Sequence, residues 1–271
     1  MAEAAPSRPA VPTYTFEVVA ATQAAGTRAK RFRGGIQNPY SRLPDWLYPT
    51  SIVVVFSLFI IYSGLVVLFE TTGRFGPYLS PFFSPEVNVR LAGFLIPPAL
   101  WVAWAPLTFR VTCYYYRKAY FRSFLLHPRS CAATDPEKRD YRGETRLWVF
   151  NNLHRFAFYA TALQTLILIY DAVIAFTYQG AFHFGLGNVI MLVNVACLLG
   201  YTYGCHAWRH LVGGSTDCFS CHKARFRLWK GVTVLNANHA LWAWVSMFTV
   251  WFTDIYIRLG AHGVLGGAAW L

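Results

Sequence analysis

The sequence predicts an all-α, five-span transmembrane helix bundle with its N-terminus cytoplasmic and its C-terminus outside. Three observations predict it. Of 271 residues, 55% are hydrophobic and only 13% charged, about half the charged share of a soluble domain. Five segments are long and apolar enough for a helix to cross roughly 30 Å of hydrocarbon, which takes about 20 residues. The Lys and Arg residues are spread unevenly over the connecting loops. Mean hydropathy of +0.34 leaves too little polar surface to coat a water-soluble particle. Hydrophobicity this high also excludes intrinsic disorder.

Residues 1–50 form a cytoplasmic N-terminal segment without an apolar run. Pro6, Pro9 and Pro12 lie where the apolar core of a secretory signal would be, so none is expected. The segment carries a strand-like stretch from Thr13 to Val19 and a basic stretch from Arg28 to Arg33. The membrane domain covers 51–258, with spans at about 51–69, 91–111, 149–176, 184–208 and 235–257. Each is too long and too continuously apolar to be a strand. Pro97, Pro98 and Pro106 predict a kink in the second. Cytoplasmic loops cover 112–148 and 209–234, and 259–271 is an external tail. The first loop opens with Cys113-Tyr114-Tyr115-Tyr116-Arg117-Lys118, an aromatic and basic mixture suited to a helix lying in the interface.

The charge pattern sets the orientation. Six basic residues precede the first span, ten lie from Arg110 to Arg155, and five follow the fourth span. Only Arg74, Arg90 and Arg258 fall on the other side. Lys and Arg accumulate in cytoplasmic loops, so the N-terminus is inside. The net charge of +12 is explained in the same way, without nucleic acid as a partner. Six cysteines are too few for a disulfide scaffold.

The densest chemistry lies in Cys205-His206-Ala207-Trp208-Arg209-His210, followed by Gly213-Gly214 and Cys218-Phe219-Ser220-Cys221-His222. His206 and His210, four apart, share a helix face. Cys218 and Cys221 have the bite of a two-thiolate chelate. The glycines let the chain turn the thiolates back towards the imidazoles. This spacing predicts a metal centre held by His206, His210, Cys218 and Cys221, with Cys205, His222 and His239 as alternates. Cys218-x-x-Cys221-His222 also matches the c-type haem attachment pattern, but that chemistry belongs to the opposite face of the membrane. A Cys2His2 zinc site and a Rieske-type [2Fe–2S] cluster, with two cysteines on one iron and two histidines on the other, both fit the donor types. Bis-histidine haem b is a further alternative. His154, His206, His210 and His239 lie near the cytoplasmic ends of spans, whereas the outer leaflet offers only His183 and His262. That disfavours two haems and leaves one.

Ionisable groups within lipid are costly and point to function. Asp254 has Arg258 four residues on, which predicts a local ion pair. Asp171 has no such neighbour; it either pairs with another helix or carries protons. His154, Arg155 and His239 bring polar groups to the inner ends of the third and fifth spans, where they are candidates for binding a quinone.

Thr112-Cys113-Tyr114-Tyr115-Tyr116-Arg117-Lys118-Ala119-Tyr120, Asn151-Asn152-Leu153-His154-Arg155 and Cys205-His206-Ala207-Trp208-Arg209-His210, in this order and topology, resemble the membrane anchor subunit of actinobacterial, including mycobacterial, succinate dehydrogenase. The resemblance implies a chain that is not catalytic alone. It implies flavoprotein and iron–sulfur subunits docked on the cytoplasmic face, a plasma-membrane location, and electrons delivered to menaquinone dissolved in the lipid. It is compatible with a higher oligomer of the complex. Anchors of this family usually carry haem b, and the haem-free branch uses a Rieske-type cluster, which this donor set suits better. If menaquinone is the acceptor, succinate oxidation is uphill, and proton entry would give Asp171 a purpose. The alternatives are a single-haem cytochrome b anchor, and a small transporter or receptor with a zinc-stabilised loop.

Overall fold

A computed structural model describes residues 47–70, 73–91, 94–124 and 147–265, apart from 215, 217 and 219. The chain divides into units 1–48 and 49–271. The expected strand at Thr13–Val19 and the basic stretch Arg28–Arg33 lie outside the described residues. So does most of the loop after Phe124.

The protein is built from helices. Helix α1 (Leu47–Phe69) is followed by two small hairpins, β1 (Arg74–Phe75) with β2 (Tyr78–Leu79), and β3 (Val89–Leu91) with β4 (Phe94–Ile96). Short helices α2 (Pro98–Val102) and α3 (Trp104–Thr112) lead into α4 (Tyr114–Ser123). Helix α5 (Leu147–Ile174) is joined to α6 (Leu186–Tyr203) by the hairpin β5 (Thr177–Tyr178) and β6 (Ala181–Phe182). Helices α7 (His206–Gly213), α8 (Lys223–Ala237) and α9 (His239–Ala261) complete the chain. Four helices among the described residues are long and apolar enough to cross a membrane: Pro49–Phe69, Val149–Ile174, Leu186–Tyr203 and His239–Ala261.

The second expected span, 91–111, is not one helix. Its first residues form β3–β4, and helix starts only at Pro98, which sits in the first turn where its missing N–H costs nothing. Pro97 pushes the residue before it into extended backbone. Pro106 cannot donate to the carbonyl of Val102, and the helix breaks at Ala103, between α2 and α3. Hydrogen bonds nevertheless fix the path of this segment. The Ser80 hydroxyl donates to Asp254 and the Ser84 hydroxyl to Asp171 at one end of the bundle. At the other, Arg110 donates to Ser246 Oγ at 3.1 Å near the start of α9. Residues 84–110 thus run the length of the bundle.

Two further expectations change. The fourth span ends at Tyr203, where Gly204 and an extended Cys205 turn the chain into α7. The expected loop 209–234 is largely the α7–α8 helical pair, separated from α9 only at Asn238. Arg225 ties this pair together by donating to the carbonyls of Val212 and Gly214 at the end of α7. The interfacial segment after Cys113 is a helix, as its composition predicts.

Helices α5, α6 and α9 pack around two buried clusters. One, near the start of α5 and α9, contains Phe109, Cys113, Phe158, Tyr201, Cys205 and Met247. The other, at the opposite end, contains Tyr78, Leu168, Met191, Val195 and Ile257. Gly200 allows α6 and α9 to approach closely, since a Cβ there would fall 2.6 Å from the Trp242 indole. Helix α1 is an edge helix, touching α9 through the ring pairs Phe56–Trp244 and Phe59–Trp251.

Candidate functional site

The first cluster holds an unusual set of donors, each placed by a helix terminus. Cys113 is the extended residue between α3 and α4, and Cys205 is the extended residue between α6 and α7. Cys205 caps α7, its sulfur accepting the Ala207 N–H at 3.4 Å. His154 projects from the first turns of α5, and His239 opens α9. Four segments far apart in sequence thus each deliver one soft or borderline donor to one place.

The donors form two contacts. His154 Nε2 lies 3.0 Å from Cys205 Sγ, and His239 Nε2 lies 3.9 Å from Cys113 Sγ. Cys113, Cys205 and His239 are 1%, 1% and 3% exposed. Phe109 stacks on the His154 imidazole at 4.5 Å, and Tyr201 stacks on that of His239 at 5.1 Å. His154 Nδ1 lies 3.1 Å from the Phe109 carbonyl, an acceptor, so that nitrogen carries the proton. The lone pair then sits on Nε2, facing Cys205. Thr112 Oγ1 also lies 3.1 Å from His154 Nδ1. Such a bond behind an imidazole is what orients histidine ligands at metal centres. His239 Nδ1 is buried without a hydrogen-bond partner among the described residues.

Burial pushes the Cys205 thiol up to about 12. Burial also pushes Cys113 up, against smaller opposing effects from the Tyr201 hydroxyl and Arg110. Both sulfurs therefore keep their protons at neutral pH unless a metal cation takes the proton's place. Among the described residues, no three His, Cys, Asp or Glu side chains converge as a mononuclear metal site requires. The arrangement is instead two thiols and two imidazoles in pairs. These residues fit a binuclear cluster, which takes two ligands on each iron.

Arg110 closes one side. It donates to the Tyr116 hydroxyl, to Ser246 Oγ at 3.1 Å and to the Ala243 carbonyl at 3.3 Å, and its guanidinium sits 4.8 Å over the Tyr201 ring. The Tyr116 hydroxyl donates in turn to the Ala243 carbonyl. Arg117, 4% exposed, lies 5.6 Å from the Phe150 ring, and its Nε and Nη1 have no partner among the described residues.

The predicted metal ligands are distributed differently. Cys218 and Cys221 are joined in a disulfide, so neither sulfur is a free thiolate. His206 and His210 do share a face of α7, with ring centroids 4.5 Å apart, but both are exposed. His222 is exposed at the start of α8. The structure does not gather these residues into one centre. Two of the three alternates, Cys205 and His239, are in the buried set. His154, expected at a quinone, is the third member, and Cys113 is the member that local spacing does not reveal. Arg155 is exposed beside His154.

Asp171 and Asp254 lie at the opposite end. Asp171, 6% exposed, accepts from Ser84. Asp254, 0% exposed, accepts from Tyr62 and Ser80 and pairs with Arg258 at 2.7 Å, as the spacing predicts. Arg258 also reaches Glu70 at 3.2 Å.

The sequence matches the family described as actinobacterial succinate dehydrogenase subunit SdhC over residues 47–263, a range that contains all four buried donors. The structure is similar to a chain of the Mycobacterium smegmatis Sdh1 complex in the apo form. That similarity has a TM-score of 0.71 and 38% identity, covering 84% of this chain and 93% of that one. No curated protein matches. The chain belongs to the actinobacterial SdhC family and is a multi-pass membrane anchor subunit of succinate dehydrogenase, working with the other subunits and not catalytic alone.

Proposed function

We propose that this anchor carries electrons from the iron–sulfur subunit to menaquinone through a Rieske-type [2Fe–2S] cluster, for which Cys113, Cys205, His154 and His239 would be the ligands. The observation that carries this reading is the pairing of two buried thiols with two imidazoles, that of His239 buried and that of His154 part-buried, supplied by four separate segments. A cluster with mixed ligands supplies a one-electron relay at a higher potential than an all-cysteine one. The chain's own residues do the rest. Cys113 and Cys205 lose their protons to bind, Phe109 and Thr112 fix the ring of His154, and Phe109 and Tyr201 exclude water from the imidazole faces.

The donor end is the cytoplasmic end in this reading, because the basic loops flank it. The chain crosses the membrane five times, once through the α2–α3 segment, and the flavoprotein and iron–sulfur subunits dock beside α4, α7 and α8. The location is the plasma membrane. With His154 and His239 committed to the metal, Arg155 is left to meet the quinone head group at the inner end of α5. Asp171 stands 17 residues along α5 from His154, roughly 25 Å, and serves proton entry from the outer side.

The purified, reduced complex is expected to give a Rieske-type electron paramagnetic resonance signal, with two irons and two acid-labile sulfides per anchor beyond those of the iron–sulfur subunit. A reduced-minus-oxidised spectrum with a b-haem band would overturn the reading in favour of a cytochrome anchor. Zinc in the anchor, with no iron beyond that of the iron–sulfur subunit, would overturn it in favour of a structural metal. For Asp171→Asn, the dependence of succinate:quinone turnover on membrane potential is expected to weaken. An unchanged dependence removes that role.

A further inference from the structure

The described carboxylates are segregated. Glu70, Glu86, Asp171 and Asp254 are the four among the described residues. Their bonds to Arg258, Arg74, Ser84 and Ser80 place them all at the end of the bundle away from the Cys/His set. Two guanidinium groups, Arg110 and Arg117, adjoin that set, and neither meets a carboxylate among the described residues. A cation taken out of water without an anion is costly. Arg117, 4% exposed, bears that cost and the part-buried Arg110 bears some of it, beside two thiols that would become thiolates on binding a metal. Among the described residues no carboxylate answers these cations, whereas thiolates at the centre would.

We propose that Arg110 is a positioning residue that raises the midpoint potential of this centre by stabilising its reduced form. The inference rests on the cluster reading above. On that reading the centre, while reduced, would hold one more negative charge. Arg110 is placed to feel that charge. Its guanidinium lies 4.8 Å from the centre of the Tyr201 ring, and the His239 imidazole stacks on the same ring at 5.1 Å. Three acceptors, the Tyr116 hydroxyl, Ser246 Oγ and the Ala243 carbonyl, hold the fork in that pose. In a site shielded from water, a unit charge acts over such distances with little screening.

The test is a potentiometric titration, followed by electron paramagnetic resonance, of the intact complex carrying Arg110→Gln, Arg110→Lys or Ser246→Ala. Arg110→Gln is expected to shift the midpoint downward while spin intensity per anchor stays at the wild-type level. Arg110→Lys restores most of the shift, because charge and not shape is what counts. Ser246→Ala, which only loosens the fork, shifts the midpoint in the same direction by less, and it serves if the glutamine variant does not assemble. A midpoint unchanged in Arg110→Gln or, failing its assembly, in Ser246→Ala overturns the proposal. A lysine variant shifted as far as glutamine also overturns it. A wild-type complex with no such signal sinks the cluster reading instead, so the two failures are distinguishable.

Discussion

Cys113→Ser and Cys205→Ser complexes are expected to lose the iron and acid-labile sulfide of the anchor, whereas Cys218→Ser and Cys221→Ser complexes keep both at wild-type levels. The contrast follows from where the sulfurs are. Cys113 and Cys205 are 1% exposed and face imidazoles, while Cys218 and Cys221 are bonded to each other in the connection between α7 and α8. Replacing an outer-shell partner of a metal ligand costs roughly tenfold to a hundredfold in affinity, and replacing a ligand itself costs more. His154→Ala and His239→Ala belong with the first pair, and His206→Ala and His210→Ala with the second. The measurement is iron and sulfide per anchor in the isolated complex. Loss of iron in Cys218→Ser with retention in Cys113→Ser would reverse the assignment.

Arg258→Met is expected to destabilise the bundle by about 3–5 kcal/mol, the usual cost of removing one partner of a buried ion pair. Asp254 is 0% exposed, and its carboxylate depends on Arg258 at 2.7 Å together with Tyr62 and Ser80. Without the guanidinium, the aspartate must either stay charged in an apolar setting or take up a proton. Either course weakens the tie between α1, the β1–β2 region and α9. Asp254→Asn retains hydrogen bonding to both hydroxyls and is expected to cost less. Thermal unfolding of the detergent-solubilised complex reads both. An Arg258→Met complex as stable as wild type would overturn the expectation.

Much of the fold was legible because lipid imposes a simple rule on sequence: a long uninterrupted apolar run must be a helix. Leu47–Phe69 and Leu147–Ile174 fall close to where hydropathy puts them. The rule fails where apolar residues meet backbone chemistry. Pro97, Pro98 and Pro106 do more than kink a span; they leave β3–β4, α2 and α3 where a single helix was expected. The pair Asp254–Arg258 was legible because helical spacing is local, and the hydroxyl partner of Asp171 was not, because Ser84 comes from a loop 87 residues away.

The candidate site shows the same limit. His206, His210, Cys218 and Cys221 attract notice because they are neighbours in sequence, yet a disulfide takes two of them and exposure the others. The buried set is spread over 126 residues, and no local motif marks it. A weaker signal was present. Cys113, His154, Cys205 and His239 all stand at one end of apolar segments, and antiparallel packing brings such ends together. Reading helix ends as a group finds Cys113, where reading spacing does not.

The elbows at Cys113 and Cys205 also carry a lesson about biogenesis. Each thiol occupies the one extended residue between consecutive helices, so it is aimed correctly only after the chain has turned the corner on both sides. Nascent polypeptide still threading into the bilayer has no such corners. If the proposed cluster is bound, maturation of this anchor is ordered in time: insertion and folding come first, and delivery of the inorganic core follows as a finishing step on the folded protein.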